Sequence, residues 1–329
     1  MADKEPKISL VRIEDIDLDF IGYDTSYDAA FPGSGYDDLR AAIGRWGVTN
    51  PIRVKEGRDA FLLVSGRRRV LAARDLGIRE LPAHVYDVGL ADADALRINL
   101  LDNFPSRKYS AVEAAWAVKR LSSDFSIPMD MVIDDFFPLL HLDHSLKIGK
   151  NLVTIWGLED EIKALSHRRG YSLSSLACWA SFTPEDRGAI LAVFSSLPIT
   201  SGGAGEILNL LSEISRRDGA DVFSIFGGEE IGGLLSSDAA PPSQKAEKLK
   251  AAIRKARRPR LSELERKFAD AVVAVRLPRG ARLEHSPYFE GEEFTVSFQF
   301  RDKRDIRAMG EYLVALSEAE ELSGLLSLL

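Results

Sequence analysis

The spacing of apolar residues changes character three times along this chain. Up to about residue 90 it is short-period. Residues 8–20 (ISLVRIEDIDLDF) alternate well enough to predict a first strand, Pro51 to Val54 and Ala60 to Val64 predict two strands joined across Lys55-Glu56-Gly57-Arg58, and Leu81 to Tyr86 predicts another. Between them, Leu39, Ile43 and Trp46 share a helical face closed by Gly47. Val70, Leu71, Ala73 and Leu76 then recur at helical spacing as far as Gly77, a C′ residue. From residue 91 to about 219 the pattern is wholly helical: 91–104, a helix opened by the Ser110/Glu113 capping box, then 129–140, 143–156, 159–169, 172–180, 184–197 and 203–217. Residues 220–244 are rich in Gly, Ser, Ala and Pro and read as a linker. Beyond it the spacing predicts a helix over 261–271, strands over 272–277 and 292–300, and a helix over 304–317. Phe294, Val296, Phe298 and Phe300 alternate on one face of the last strand. So small a two-stranded unit is a thin core, and its apolar face is expected against a second copy.

These shifts predict an α+β multidomain protein: a small α/β domain over 1–104, an all-α domain over 105–220, a flexible linker with a basic stretch over 221–260, and an α-β-β-α domain over 261–329. At 329 residues the chain exceeds what one core usually serves. No run approaches the length of a membrane-spanning helix, and MADKEPKISL lacks the apolar core of a signal peptide, so a cytoplasmic protein without membrane contact is expected. Cys178 is the only cysteine, which excludes an internal disulfide and a cysteine zinc cluster, and the five histidines make no metal-ligand spacing. A net charge of −7 argues against indiscriminate nucleic-acid coating but permits a local basic surface. One such stretch, Lys245 to Arg260, sets eight basic residues against Glu247 alone, either as a solvated helix face or as a tether that grips phosphates.

Candidate chemistry concentrates where a strand runs into Gly66. A glycine before a helix lets an anion approach uncapped backbone N–H groups at the positive end of the helix dipole, and Arg67, Arg68 and Arg69 add fixed charge there. The bland alternative is a solvated first turn, where basic residues even oppose the dipole. Asp102 and Asn103, at a helix end stopped by Pro105, are capping groups or ligands for Mg²⁺ or water beside bound phosphates. The helix over 143–156 offers Ser145, Lys147, Lys150, Asn151 and Thr154 on its polar side. That suits the second helix of a helix-turn-helix on double-stranded DNA, although periodicity alone equally allows an all-α packing module.

In their order these parts resemble the ParB family of DNA-partition proteins. Asp38 to Val54 (DLRAAIGRWGVTNPIRV) resembles the family's leading helix and GxxQPIxV segment, Ser65 to Ala73 its GERRxxAA nucleotide box, and Leu81 to Val85 its IPxxV strand. Asp102 to Ala115 (DNFPSRKYSAVEAA) is similar to ENxxRxxLxPxEEA. The resemblance implies a CTP-binding N-domain, a DNA-reading middle, a homodimerising tail over 261–329 and a clamp that closes with CTP, in a nucleoid-associated protein of chromosome or plasmid partition. It also implies that Gly66, Arg68 and Arg69 hold the triphosphate, Ala72 permits close packing, Asn50 stands at the family's Gln, and Asp102 and Asn103 take the metal and hydrolysis positions. Departures accompany it. Arg67 replaces a family Glu and Asp102 shortens another acid, which leaves open whether CTP is cleaved, slowly cleaved or only bound. Leu176 and Cys178 interrupt the GHAR segment, and no LGRGL-like segment for a ParA-type ATPase is found near the N-terminus. Two alternatives stand beside this reading: an enzyme on the same fold, such as a nuclease or small-molecule kinase, and a transcriptional regulator without CTPase activity.

Overall fold

The structure, a computed structural model, describes residues 5–27, 35–105, 107–237, 240–257, 259–286 and 293–327. The chain divides into two compact units, Met1–Asn209 and Leu210–Leu329. In the first, five strands form a mixed sheet: β1 (Lys7–Arg12), β2 (Ile16–Asp17), β3 (Ile52–Glu56), β4 (Phe61–Ser65) and β5 (Glu80–Tyr86), in the order β1-β5-β3-β4-β2. β3 runs parallel to β5 and antiparallel to β4, with Val54 opposite Leu63 and Val85. The single strand expected over 8–20 is two strands on opposite edges of the sheet. A 3-10 turn at Ile13–Asp15 separates them, and the Ile13 N–H donates to the Arg79 carbonyl, so the chain crosses the sheet instead of continuing along it.

Strand alternation builds two cores. Leu63 on β4 joins Ile52, Val54, Leu81 and Ala83 on one face, where Val70 and Ala73 of α2 (Arg67–Asp75) pack. Its neighbour Val64 faces the other way, against Tyr23, Leu90 and Ala95 of α3 (Asp92–Asn103). Each face of the sheet thus carries one helix, and the β4–α2 junction at Gly66 lies between them. α2 ends as expected: Gly77 takes φ +73°, and Ile78 and Gly77 donate to the Ala73 and Arg74 carbonyls. α1 (Tyr36–Trp46) packs beside α2 and buries only Ile43.

The helical segment follows in the expected order. α4 (Ala111–Lys119) opens on the complete Ser110/Glu113 capping box and runs into a π-helical turn at Arg120–Asp124. α5 (Met129–Phe136) is shorter than the 129–140 expectation because Pro138 starts a separate 3-10 turn. α6 (Leu146–Trp156), α7 (Asp160–Arg169), α8 (Leu173–Ala180), α9 (Pro184–Ser196) and α10 (Ser201–Asp218) complete the set, with Ser145, Ser172 and Thr183 capping α6, α8 and α9.

The second unit corrects two expectations. Residues 220–244 are not a plain linker: α11 (Val222–Gly227), capped by Asp221, and α12 (Glu229–Ser236) lie within them and bury Val222, Phe226 and Ile231. α13 (Pro242–Arg257) buries Ala246, Leu249, Ala252 and Ile253, so it is amphipathic and its basic residues share the remaining surface. The strand expected over 272–277 is instead the end of α14 (Pro259–Ala274), where two adjacent valines imitated a strand. The hairpin partner is β6 (Ala281–His285), paired antiparallel with β7 (Phe294–Phe298). α15 (Lys303–Ser317) matches its expectation, and α16 (Glu320–Leu326) lies beyond the last expected element. Val296, Phe300, Ile306, Leu313 and Val314 remain exposed in this single copy.

Candidate functional site

The Gly66 turn opens onto a cavity of about 860 Å³. α1 contributes Leu39, Ala42 and Trp46; the turn contributes Ser65 to Arg69; α3 contributes Asn99 and Asn103; and Arg107, Glu113 and His167 come from the helical segment. Gly66 is required by its backbone. It sits at φ +104°, and a Cβ there would lie 2.9 Å from Ile52 Cγ2 and 3.2 Å from the Arg69 guanidinium. No side chain caps the N-terminus of α2, and the first backbone bonds run from the Arg69 and Val70 N–H groups to the Gly66 carbonyl. The N–H groups ahead of them are the ones an anion would meet.

The three arginines do different work. Arg67 is spent on the fold: Nε donates to Asp24 at 2.9 Å, and its two terminal nitrogens donate to the Leu18 and Phe20 carbonyls. Arg67 therefore ties the β2 loop to the turn. Arg69 is tied to the fold as well. One terminal nitrogen donates to the Asn50 and Pro51 carbonyls at 2.7 Å each and the other to Asp102 at 3.0 Å, while burial lowers its pKa against the opposing pull of Asp102. Arg69 still lines the cavity. Arg68 is exposed and lines the cavity.

Asp102 lies outside the cavity lining. Its carboxylate accepts from Arg53 at 3.0 Å, Arg69 at 3.0 Å and Ser65 Oγ at 2.5 Å, and only 7% of the side chain is exposed. Such a group is an anchor for the C-terminal end of α3. The other end has a matching anchor, since Asp92 accepts from Lys55 at 2.8 Å and from Tyr23 at 2.5 Å. In the middle, Asn99 donates to the Val64 carbonyl at 2.6 Å, and the Asn103 amide donates to the Asn99 carbonyl at 2.8 Å. Asn50 and Asn103 line the cavity, and Ala72 is fully buried behind it. Among the described residues no group of three His, Cys, Asp or Glu could hold a metal ion. With both Asp102 oxygens on guanidinium groups, Asp102 presents no free oxygen to Mg²⁺.

Arg53, Lys55 and Asp92 were missed by motif reasoning, although strand alternation carried a signal. Arg53 and Lys55 occupy the positions of β3 opposite Ile52 and Val54, on the face that α3 covers. His167 had no signal, because its approach to the cavity is set by how α7 packs.

On α6, the residues expected to read DNA divide. Ser145 Oγ caps the helix by accepting the Ile148 N–H, and Thr154 Oγ donates back to the Lys150 carbonyl. Lys147 and Lys150 are exposed, and Asn151 is half-buried.

A small mixed sheet here presents a helix N-terminus, through a glycine turn, to a cavity, a geometry open to an anion. The ParB N-terminal domain family matches residues 9–104 of this chain. The chain is similar to the chromosome-partitioning protein ParB of Myxococcus xanthus, 28% identical over 118 residues, which are 36% of this chain and 35% of that protein. It is also similar to a probable chromosome-partitioning protein ParB of Neisseria meningitidis, 30% identical over 96 residues, 29% and 33% of the two chains. The matched stretch thus spans about a third of the length of these relatives. Among solved structures, C-terminally truncated ParB of Caulobacter crescentus complexed to the centromeric parS site aligns over 61% of this chain and 98% of its own, with 17% identity and a TM-score of 0.36.

Proposed function

We propose that this protein is a dimeric, CTP-binding DNA clamp of ParB type, acting in the partition of chromosomal or plasmid DNA. The observation that carries the reading is the cavity at Gly66: within a ParB N-terminal domain, an uncapped helix N-terminus and the exposed Arg68 face a space lined on another side by the apolar residues of α1. Backbone N–H groups and a guanidinium suit a triphosphate, and the apolar wall with the amide groups of Asn50 and Asn103 suits a base and sugar. Hydrolysis is slow or absent in this reading, because the acids nearest the cavity are held by arginines: Asp24 by Arg67, and Glu113 by Arg107. No step runs through a protein-held metal.

DNA lies against Lys147 and Lys150 of α6 in this reading, and the exposed apolar residues of β7 and α15 meet a second copy. No described helix is long and apolar enough to cross a membrane. Genome-wide mapping of bound DNA tests the clamp. One short site with broad CTP-dependent spreading is expected, whereas isolated sharp peaks unchanged by nucleotide would replace the clamp with a site-specific regulator.

A further inference from the structure

The cavity is not closed by the sheet domain alone, and the residue farthest from it in sequence is His167 of α7. Its ring is fixed on one side. Ser110 caps α4, its Oγ accepting the Glu113 N–H at 3.2 Å while Glu113 accepts the Ser110 N–H at 2.9 Å. Among the described residues the Ser110 hydroxyl proton has one acceptor, His167 Nδ1 at 2.9 Å. With the hydroxyl as donor, Nδ1 accepts and the ring carries its proton on Nε2, the tautomer assigned here. Tyr27 holds the ring plane, with centroids 5.3 Å apart, and no described group bonds Nε2.

We propose that His167 is a ligand-contacting residue of the cavity, donating its Nε2–H to a phosphate oxygen of the bound nucleoside triphosphate. The proposal rests on the nucleotide-binding reading given above. The surroundings favour an anionic acceptor: Arg68 and Arg107 line the same space, and Arg107 is already paired with Glu113 at 2.5 Å, which leaves that carboxylate neutralised. A ligand held by both Arg68 and His167 spans from the sheet domain to α7. That helix is in turn bonded to the end of α6, since Lys163 Nζ donates to the Trp156 carbonyl at 3.1 Å.

The test uses the full chain and two probes, CTP and inorganic triphosphate, with calorimetry on the wild type, His167→Phe and His167→Gln. Phenylalanine keeps the ring against Tyr27 and removes the N–H; glutamine restores an N–H donor. The expected result is that His167→Phe weakens both probes about tenfold to a hundredfold and His167→Gln recovers part of the loss. In addition, ¹⁵N spectra of the nucleotide-free protein should show Nδ1 without a proton, a preference abolished by Ser110→Ala. Wild-type affinity in a folded His167→Phe variant, or a proton on Nδ1, overturns the assignment and leaves CTP binding standing. Failure of the wild type to bind either probe overturns the nucleotide reading, and the assignment with it.

Discussion

Replacing Asp102 by Ala should destabilise the first unit. The carboxylate satisfies Arg53, Arg69 and Ser65, whereas the arginine side chains are only 24% and 18% exposed. Removing one partner of a buried ion pair costs about 3–5 kcal/mol when the charge left behind stays buried. Here two guanidinium groups lose their partner, but each retains some access to water, so the expected loss is about 2–4 kcal/mol. For a urea slope of about 2 kcal/mol per molar, the unfolding midpoint falls by about 1–2 M. Asp102→Asn, which keeps shape and one acceptor oxygen, should lose roughly half as much. Pairing Asp102→Asn with Arg53→Gln should cost less than the sum of the two, because each mutation removes the other's orphaned partner. Urea unfolding followed by near-ultraviolet circular dichroism measures all of these. An Asp102→Ala protein that unfolds with the wild type while losing CTP turnover would refute the anchor and return Asp102 to a catalytic or metal-binding role.

Gly66→Ala should cost about 2–4 kcal/mol, because φ +104° is unfavourable for a residue with a Cβ and that Cβ would lie 2.9 Å from Ile52; an unchanged urea midpoint would contradict it. Lys147→Gln with Lys150→Gln should weaken DNA binding across sequences and lower the slope of log affinity against log salt by about 2, while an unchanged slope would remove both lysines from the phosphate contacts. Acid should loosen the N-terminal end of α3. Burial alone would raise the Asp92 carboxyl, but the bonds from Lys55 and Tyr23 outweigh it and hold the group below the usual carboxylate range. Its contribution is therefore present above the ordinary value of about 4 and is lost as pH falls through the lowered folded value. Asp92→Asn should flatten the loss of stability over that acid range, and a wild-type profile in the variant would contradict this assignment.

The sequence made the sheet domain legible because local rules and the fold agree there. Short strands, Gly66 and the Gly77 cap each follow from chemistry within a few residues. The Ser110/Glu113 capping box marked the start of α4 in the same way, whereas Ser145, expected to face DNA, caps α6. The errors fall where a local signal had two outcomes. Val272 and Val273 suit a strand but extend α14, and the Gly- and Ser-rich residues after 220 fold once Val222, Phe226 and Ile231 find a common core. At the site, the sequence located the turn but could not tell how Arg67 and Arg69, which line the cavity with Arg68, are held. That depends on acceptors distant in the chain: Asp24, Leu18 and Phe20 for Arg67, and Asn50, Pro51 and Asp102 for Arg69. His167 was invisible for the same reason.

The most direct measurement is calorimetric titration of the full-length protein with CTP, ATP, GTP and UTP, on the wild type and on Arg68→Ala. Selective binding of CTP that Arg68→Ala weakens at least tenfold is the expected result. Absence of binding, equal affinity for all four nucleotides, or CTP affinity unchanged in Arg68→Ala would contradict the assignment of the Gly66 cavity as a CTP site.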